Sequence, residues 1–187
     1  MKLFLIAIAL FSVTEIYAQT TDTCCSTVLL NSYSERLYTS EPVTDQQLEY
    51  ILNCGIKSPS ARNLQPWKFT VIKDESTMKE IVTDIVSGNV FIVVSGVERE
   101  DGTTPDFDCG LATQSMFVAA HSLGLGARIY GGPVESINSN KELFQIPIGY
   151  KAMIALRIGN IDKTVDAVSA ASPRKTSEEM INHKGNE

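Results

Sequence analysis

The stretch from Ser58 to Phe69 reads S-P-S-A-R-N-L-Q-P-W-K-F. Pro59 and Pro66 both block helix continuation, so this run must be a loop that ends by entering a strand. It presents Ser60, Arg62, Asn63 and Gln65, whose hydroxyl, guanidinium and carboxamide groups could hydrogen-bond the edge of a planar polar ligand. Trp67 would anchor the exit of the loop in the core. An ordinary polar turn uses the same residue types, so the composition of the loop alone leaves both readings open.

Other chemistries find no support. The sequence holds no G-x-S-x-G, no Walker loop and no H-E-x-x-H. Gly124-Leu125-Gly126 lacks the third glycine of a dinucleotide fingerprint, and it follows a helical pattern where that motif follows a strand. His121 and His183 stand at no paired ligand spacing, and the four cysteines form no C-x-x-C, so no metal site is expected. Cys54 and Cys109 fall in helical patterns and read as buried thiols, whereas Cys24 and Cys25 fall in an N-terminal lead. A formal net charge of -6 argues against a nucleic-acid partner, which needs clustered Lys and Arg.

The elements that must position the loop follow from periodicity. Thr44 and Gln47 have capping-box spacing ahead of Leu48, Ile51, Leu52 and Ile56, which predicts a helix ending near Gly55. Trp67 to Lys73 reads as a strand. A second capped helix is expected with Met78, Ile81, Val82, Ile85 and Val86 on one face. Asn89 to Ser95 is a continuous apolar strand of the kind buried on both faces, followed by a loop from Glu98 to Pro105. Phe107 to Leu125 is the longest helical pattern, with Leu111, Ser115, Ala119 and Leu123 on one face and Ala112, Met116 and Ala120 beside it. Its small residues predict close packing, within the chain or against a second subunit. Ala127 to Tyr130 and Ala152 to Ile158 complete the strands, separated by the turn Gly131-Gly132-Pro133 and a weak helix from Val134. The alternation predicts one mixed helix-and-sheet domain.

The amino terminus is a separate matter. Lys2, the apolar run Leu3 to Phe11 and the small residue Ala18 fit a secretory signal peptide over residues 1–18. That run is too short to cross a ~30 Å hydrocarbon core. A buried helix or a retained anchor is the other reading. Residues 19–27 then read as a linker and 28–187 as the domain. The expectation is export without stable membrane insertion after cleavage, or a cytoplasmic protein if no cleavage occurs.

The P-S-x-x-N-x-Q-P-W core of the loop closely resembles the flavin-contacting segment of the nitroreductase family, and further segments agree in order. Ser34 and Arg36 in Ser32-Tyr33-Ser34-Glu35-Arg36 resemble the family's opening Arg-Arg-Ser-x-Arg element, with Ser32 in place of an arginine. Asp108-Cys109-Gly110 opens a helix ending in Leu123-Gly124-Leu125-Gly126, as in the family's long central helix. Tyr130-Gly131-Gly132 is similar to the segment whose backbone faces the flavin ring, and Pro173-Arg174-Lys175 to the C-terminal phosphate-binding signature. The resemblance spans roughly Val28 to Ile181. It implies an α+β, three-layer fold with a mixed central sheet flanked by helices, and an FMN cofactor held by Ser34, Arg36, Pro59, Ser60, Asn63, Gln65, Tyr130, Gly131, Gly132, Arg174 and Lys175. Arg36, Arg174 and Lys175 could neutralise the phosphate, and glycines at 131 and 132 would let the backbone approach the ring. Arg62 and Tyr130 are candidate wall residues near a substrate.

The resemblance further implies a homodimer and ping-pong hydride transfer from NAD(P)H or another donor to nitro- or quinone-like acceptors, with no obligatory side-chain acid or base. A related flavin dehydrogenase or dehalogenase, or a non-catalytic exported flavin-binding protein, would also fit.

Overall fold

Residue choice at the helix starts explains where the framework begins. A computed structural model describes residues 25–98, 105–165 and 173–185; the expected signal peptide, Cys24 and most of the expected linker lie outside them. Helix α1 covers Cys25–Asn31, so it overlaps the stretch read as linker. Helix α2 covers Asp45–Ile56 and carries the anticipated capping box. The Gln47 amide donates to Thr44 Oγ1 at 3.2 Å and the Thr44 amide donates to Gln47 Oε1 at 3.0 Å. Replacing Thr44 by Ala should cost about 1 kcal/mol, read as a lower melting temperature; an unchanged melting temperature would show that the cap is dispensable.

Helix α3 (Glu75–Ile81) is capped by Asp74, which accepts the Thr77 amide. It stops well short of Val86, because Val82 is already extended. The β-branched run Ile81-Val82-Thr83 is stiff at χ1 and crowds a helical turn. Val82 and Ile85 still pack on the same apolar cluster as Met78 and Ile81, from non-helical backbone. The helical spacing therefore marked burial correctly and conformation wrongly.

Among the described residues, four strands follow from the apolar runs: β1 (Trp67–Ile72), β2 (Val90–Val97), β3 (Gly126–Tyr130) and β4 (Tyr150–Gly159). Their order is β1-β2-β4-β3, with every neighbouring pair antiparallel. The parallel component of the expected mixed sheet is an isolated bridge between Ser34 and Ala127. Strand β2 is buried along nearly its whole length, as its unbroken apolar run requires.

Three layers result. On one face, Ile92, Val94, Leu156 and Ile158 pack against α2 and the long helix α4 (Pro105–Ser122). On the other, Phe91, Val93 and Ala155 pack against α3 and against Ile137 of α5 (Val134–Ser139). The small residues of α4 serve packing within the chain: Ala112, Met116 and Ala120 are its fully buried row. Gly55 lets α2 approach so closely that a Cβ there would stand 2.7 Å from Met116 Cγ. Gly124 ends the helical region in a left-handed conformation (φ 75°). A final turn of helix, α6 (Ser177–Met180), carries a second capping box from Thr176 and Glu179.

The largest fully buried side chain is charged. Arg157 on β4 is completely buried. Its Nε donates to Asn89 Oδ1 at 2.8 Å and its Nη2 to the Asp84 carbonyl at 2.9 Å, while Nη1 pairs with the Asp84 carboxylate at 3.2 Å. The guanidinium also stacks 4.2 Å from the centre of the Tyr38 ring.

Candidate functional site

The loop read from the sequence is a tight, strained turn. Residues Ala61–Asn63 form a 3₁₀ turn, and Arg62, Asn63 and Gln65 have φ of 53°, 55° and 47°. Left-handed backbone is uncommon for residues with a Cβ and persists only where surroundings impose it. Here the surroundings are identifiable. The Gln65 amide donates to Ser60 Oγ at 2.9 Å, the Gln65 side chain donates to the Asn63 carbonyl at 3.1 Å, and the Ala61 amide donates to Asp108 Oδ1 at 3.0 Å. At the entrance, buried Ser58 donates to Ser115 Oγ at 2.7 Å. Ser58 and Asp108 thus fasten the turn to α4, while Ser60, Arg62, Asn63 and Gln65 keep exposed surface. Pro59 is exposed beside them, and buried Pro66 leads into β1.

A hollow of about 240 Å³ lies between α4 and β4, lined by Asp106, Cys109, Gly110, Met153 and Ile154. A β-bulge shapes it. Val94 pairs with Ile154 and Ser95 with Ala152, so Met153 is an extra residue in β4. The bulge turns both Met153 and Ile154 toward α4, the kind of re-aiming bulges produce beside functional sites.

The antiparallel register puts the start of β1, the end of β2 and the start of β4 at one end of the sheet, and β3 runs toward that end but stops at Tyr130, opposite Ala155 halfway along β4. Gly131 and Gly132 leave β3 there, and a Cβ on either would meet nothing within 4 Å. The turn precedes β1 and the glycines follow β3, the two outer strands; three inter-strand steps of roughly 4.8 Å separate those strands. Tyr130 points elsewhere: its ring lies 5.7 Å from that of Phe91, on the face opposite the hollow, with Arg128 4.7 Å over it. The Tyr130 ring thus packs with Phe91 and Arg128.

Ser34 and Arg36 lie against the start of β3, with Ser34 bridging Ala127 and the Glu35 amide donating to the Ala127 carbonyl at 3.0 Å. Both side chains are exposed, while Glu35 between them is buried. Its carboxylate accepts the amides of Arg36 and Leu37 at 2.7 and 2.8 Å and the Tyr33 hydroxyl at 2.8 Å. Nothing in the spacing marked Glu35 as the residue that shapes this segment. Arg174 and Lys175 are exposed in the 173–185 segment and make no hydrogen bond or ion pair with other described residues. One copy of the chain therefore gathers Pro59, Ser60, Asn63 and Gln65 into one turn. It sets Gly131 and Gly132 at the end of β3 that points toward the turn, and places Ser34 and Arg36 against the opposite end of β3. Among the described residues no cluster of side chains could hold a metal ion, and Cys54 and Cys109 form no disulfide.

His121, near the end of α4, is edge-on to Phe117 at 4.6 Å. Burial pushes its pKa below 6.5, against smaller opposing effects of the Tyr33 backbone and Glu35. The folded chain then binds this proton less readily than the unfolded chain. Stability should be unaffected well above pH 6.5 and fall as pH drops below it, until the folded-state pKa is reached. His121→Gln should flatten the stability profile between pH 7 and 5; an equally steep profile would assign the loss to other groups.

A family model described as "Nitroreductase family" matches residues 30–91 and 87–160. An Archaeoglobus fulgidus protein provisionally named NADH dehydrogenase/NAD(P)H nitroreductase is 29% identical over 134 residues, 66% of this chain and 77% of that protein. The NADPH-flavin oxidoreductase of Vibrio harveyi is 26% identical over 72% of this chain, and the match covers 65% of the Vibrio protein's length. A Desulfovibrio desulfuricans structure solved in complex with FMN superposes with a TM-score of 0.71 at 26% identity, covering 89% of this chain and 99% of that one.

Proposed function

Because the chain belongs to the nitroreductase family, we propose that it is an FMN-dependent oxidoreductase that takes hydride from NAD(P)H or another small donor and reduces nitro- or quinone-like acceptors. The observation that carries this reading is the turn Ser60–Gln65, kept in left-handed conformation by bonds within itself and fastened through Ala61 to Asp108 on α4, the helix that walls an open hollow. A strained polar turn so fixed is pre-organised for a ligand. The residues fit FMN on two further grounds: space stands open where Gly131 and Gly132 lack a Cβ, and Arg36, Arg174 and Lys175 are exposed cations with no ion-pair partner among the described residues.

In this reading Ser60, Asn63 and Gln65 hold the polar edge of the cofactor, and the backbone at Gly131 and Gly132 lies along the ring. Arg36, Arg174 and Lys175 neutralise the phosphate, with Ser34 beside them. Bound FMN supplies hydride acceptance and delivery at its N5. The protein's task is then orientation and exclusion of water, and donor and acceptor use one site in turn. Two copies of the chain share the work. The placement of Arg36 beside the start of β3, away from the turn, supports this, as does an apolar groove of about 530 Å³ lined by Val28, Leu29, Tyr50, Cys54 and Val118 among others. The pattern over residues 1–18 supports export, in which case the donor is one present outside the cytoplasm. No helix among the described residues is long and apolar enough to cross a membrane.

The test is the visible spectrum of purified protein before and after FMN is added, followed by turnover with NADH, NADPH or dithionite against a nitroaromatic and a quinone. A flavin spectrum with ping-pong kinetics is expected. Protein that stays colourless and gains no FMN would overturn the proposal.

A further inference from the structure

The strain in the Ser60–Gln65 turn needs a counterweight, and α4 provides it. Asp108 lies in the first turns of α4 and is nearly fully buried, a costly place for a carboxylate unless its oxygens are used. Its Oδ1 accepts the Ala61 amide, the first residue of the 3₁₀ turn and the neighbour of left-handed Arg62. The bond joins residues 47 positions apart, so it fixes the turn to the helix that forms one wall of the hollow. Cys109 and Gly110, which line that hollow, follow Asp108 directly. The bonds within the turn that oppose its relaxation are those to Ser60 Oγ and to the Ser60, Ala61 and Asn63 carbonyls, at exposed or half-exposed sites.

We infer that Asp108 is the positioning residue of the cofactor turn: by holding the Ala61 amide it keeps Asn63 and Gln65 in the left-handed conformation that presents them to the flavin. The inference rests on the FMN reading for its ligand and on this chain's geometry for its mechanism. The carboxylate acts through the backbone and touches no reacting atom. What the turn needs from residue 108 is an acceptor oxygen of the right length, not a negative charge. Asparagine supplies that oxygen and alanine does not.

The experiment compares Asp108→Ala, Asp108→Asn and Ser60→Ala with the wild-type chain. FMN affinity is read by fluorescence quenching, amide exchange of the 58–66 segment by mass spectrometry of the apoprotein, and global stability by melting temperature. Asp108→Ala should weaken FMN binding about tenfold, the equivalent of ~1.4 kcal/mol, and speed exchange in the 58–66 segment beyond any change elsewhere. Asp108→Asn should stay within about twofold of wild type, since it keeps the oxygen. Unchanged FMN affinity in Asp108→Ala would overturn the inference, and so would equal weakening in Asp108→Asn. If Asp108→Ala does not fold, Ser60→Ala decides: it removes the acceptor of the Gln65 amide from an exposed site, and undiminished affinity there shows that the turn needs no pre-organisation. If the wild-type chain binds no FMN, the proposed function fails, and the exchange data alone judge Asp108. Faster exchange confined to 58–66 upholds its hold on the turn, and unaltered exchange refutes it.

Discussion

Valine in place of Gly131 should leave the apoprotein folded and weaken FMN binding by roughly 10- to 100-fold, the effect of forcing a side chain into space a ligand must fill. The folded chain has room for the substitution: a Cβ at 131 meets no heavy atom within 4 Å. Its backbone is not among the positive-φ glycines, which are Gly88, Gly124 and Gly149, so a β-branched residue brings no left-handed strain. Only an approaching ring would meet the new methyl groups. Gly126 is the control from the same strand region, because a Cβ there would come 2.5 Å from Glu35 Cγ. Gly126→Val should therefore lower the melting temperature sharply, whereas Gly131→Val should not. Melting curves and FMN titrations of both variants separate the two kinds of glycine. A Gly131→Val protein that binds FMN as tightly as wild type would remove Gly131 from the site.

The contrast between these glycines shows what the sequence alone could carry. Both follow apolar or aromatic residues near β3, and nothing in their neighbours says that one buries a carboxylate's stem while the other faces open space. Local signals with a fixed offset were legible: the Thr44–Gln47 box, the doubly buried run of β2 and the left-handed stop at Gly124. Periodicity was legible as burial but not always as helix, since Val82 and Ile85 keep their inward positions on extended and irregular backbone. The polar turn was visible through Pro59 and Pro66, yet its strain was not, because the left-handed Arg62, Asn63 and Gln65 sit in a turn that is fastened through Ala61 to Asp108, 47 residues away. Asp108 read as a helix opening and turned out to be a clasp. Met153 read as one more strand residue, and only the register against β2 reveals it as the inserted one. Each of these depends on contacts distant in sequence, which spacing does not encode.

Arg157 is the largest such omission, and replacing it by Ala should destabilise the fold by about 3 kcal/mol, mainly through the cavity left by a large buried side chain. The loss of the Nε donor also leaves Asn89 Oδ1 without its buried partner, a further penalty of about 1–3 kcal/mol where no water can enter. The ion pair itself contributes less. Asp84 is more than half exposed (57%), so its carboxylate returns to water at little cost when the guanidinium is gone. Asp84→Asn should accordingly cost under ~1 kcal/mol, because the Asp84 backbone carbonyl still accepts Nη2. Arg157→Lys should fall between them, since an ammonium cannot both reach Asn89 and lie flat on the Tyr38 ring. Urea unfolding checks the series: midpoints should fall in the order Asp84→Asn, Arg157→Lys, Arg157→Ala, with slopes unchanged. If Asp84→Asn proves as damaging as Arg157→Ala, the pair's charge rather than its packing holds Tyr38, Asp84 and Asn89 together. The chain would then owe this corner of its core to electrostatics.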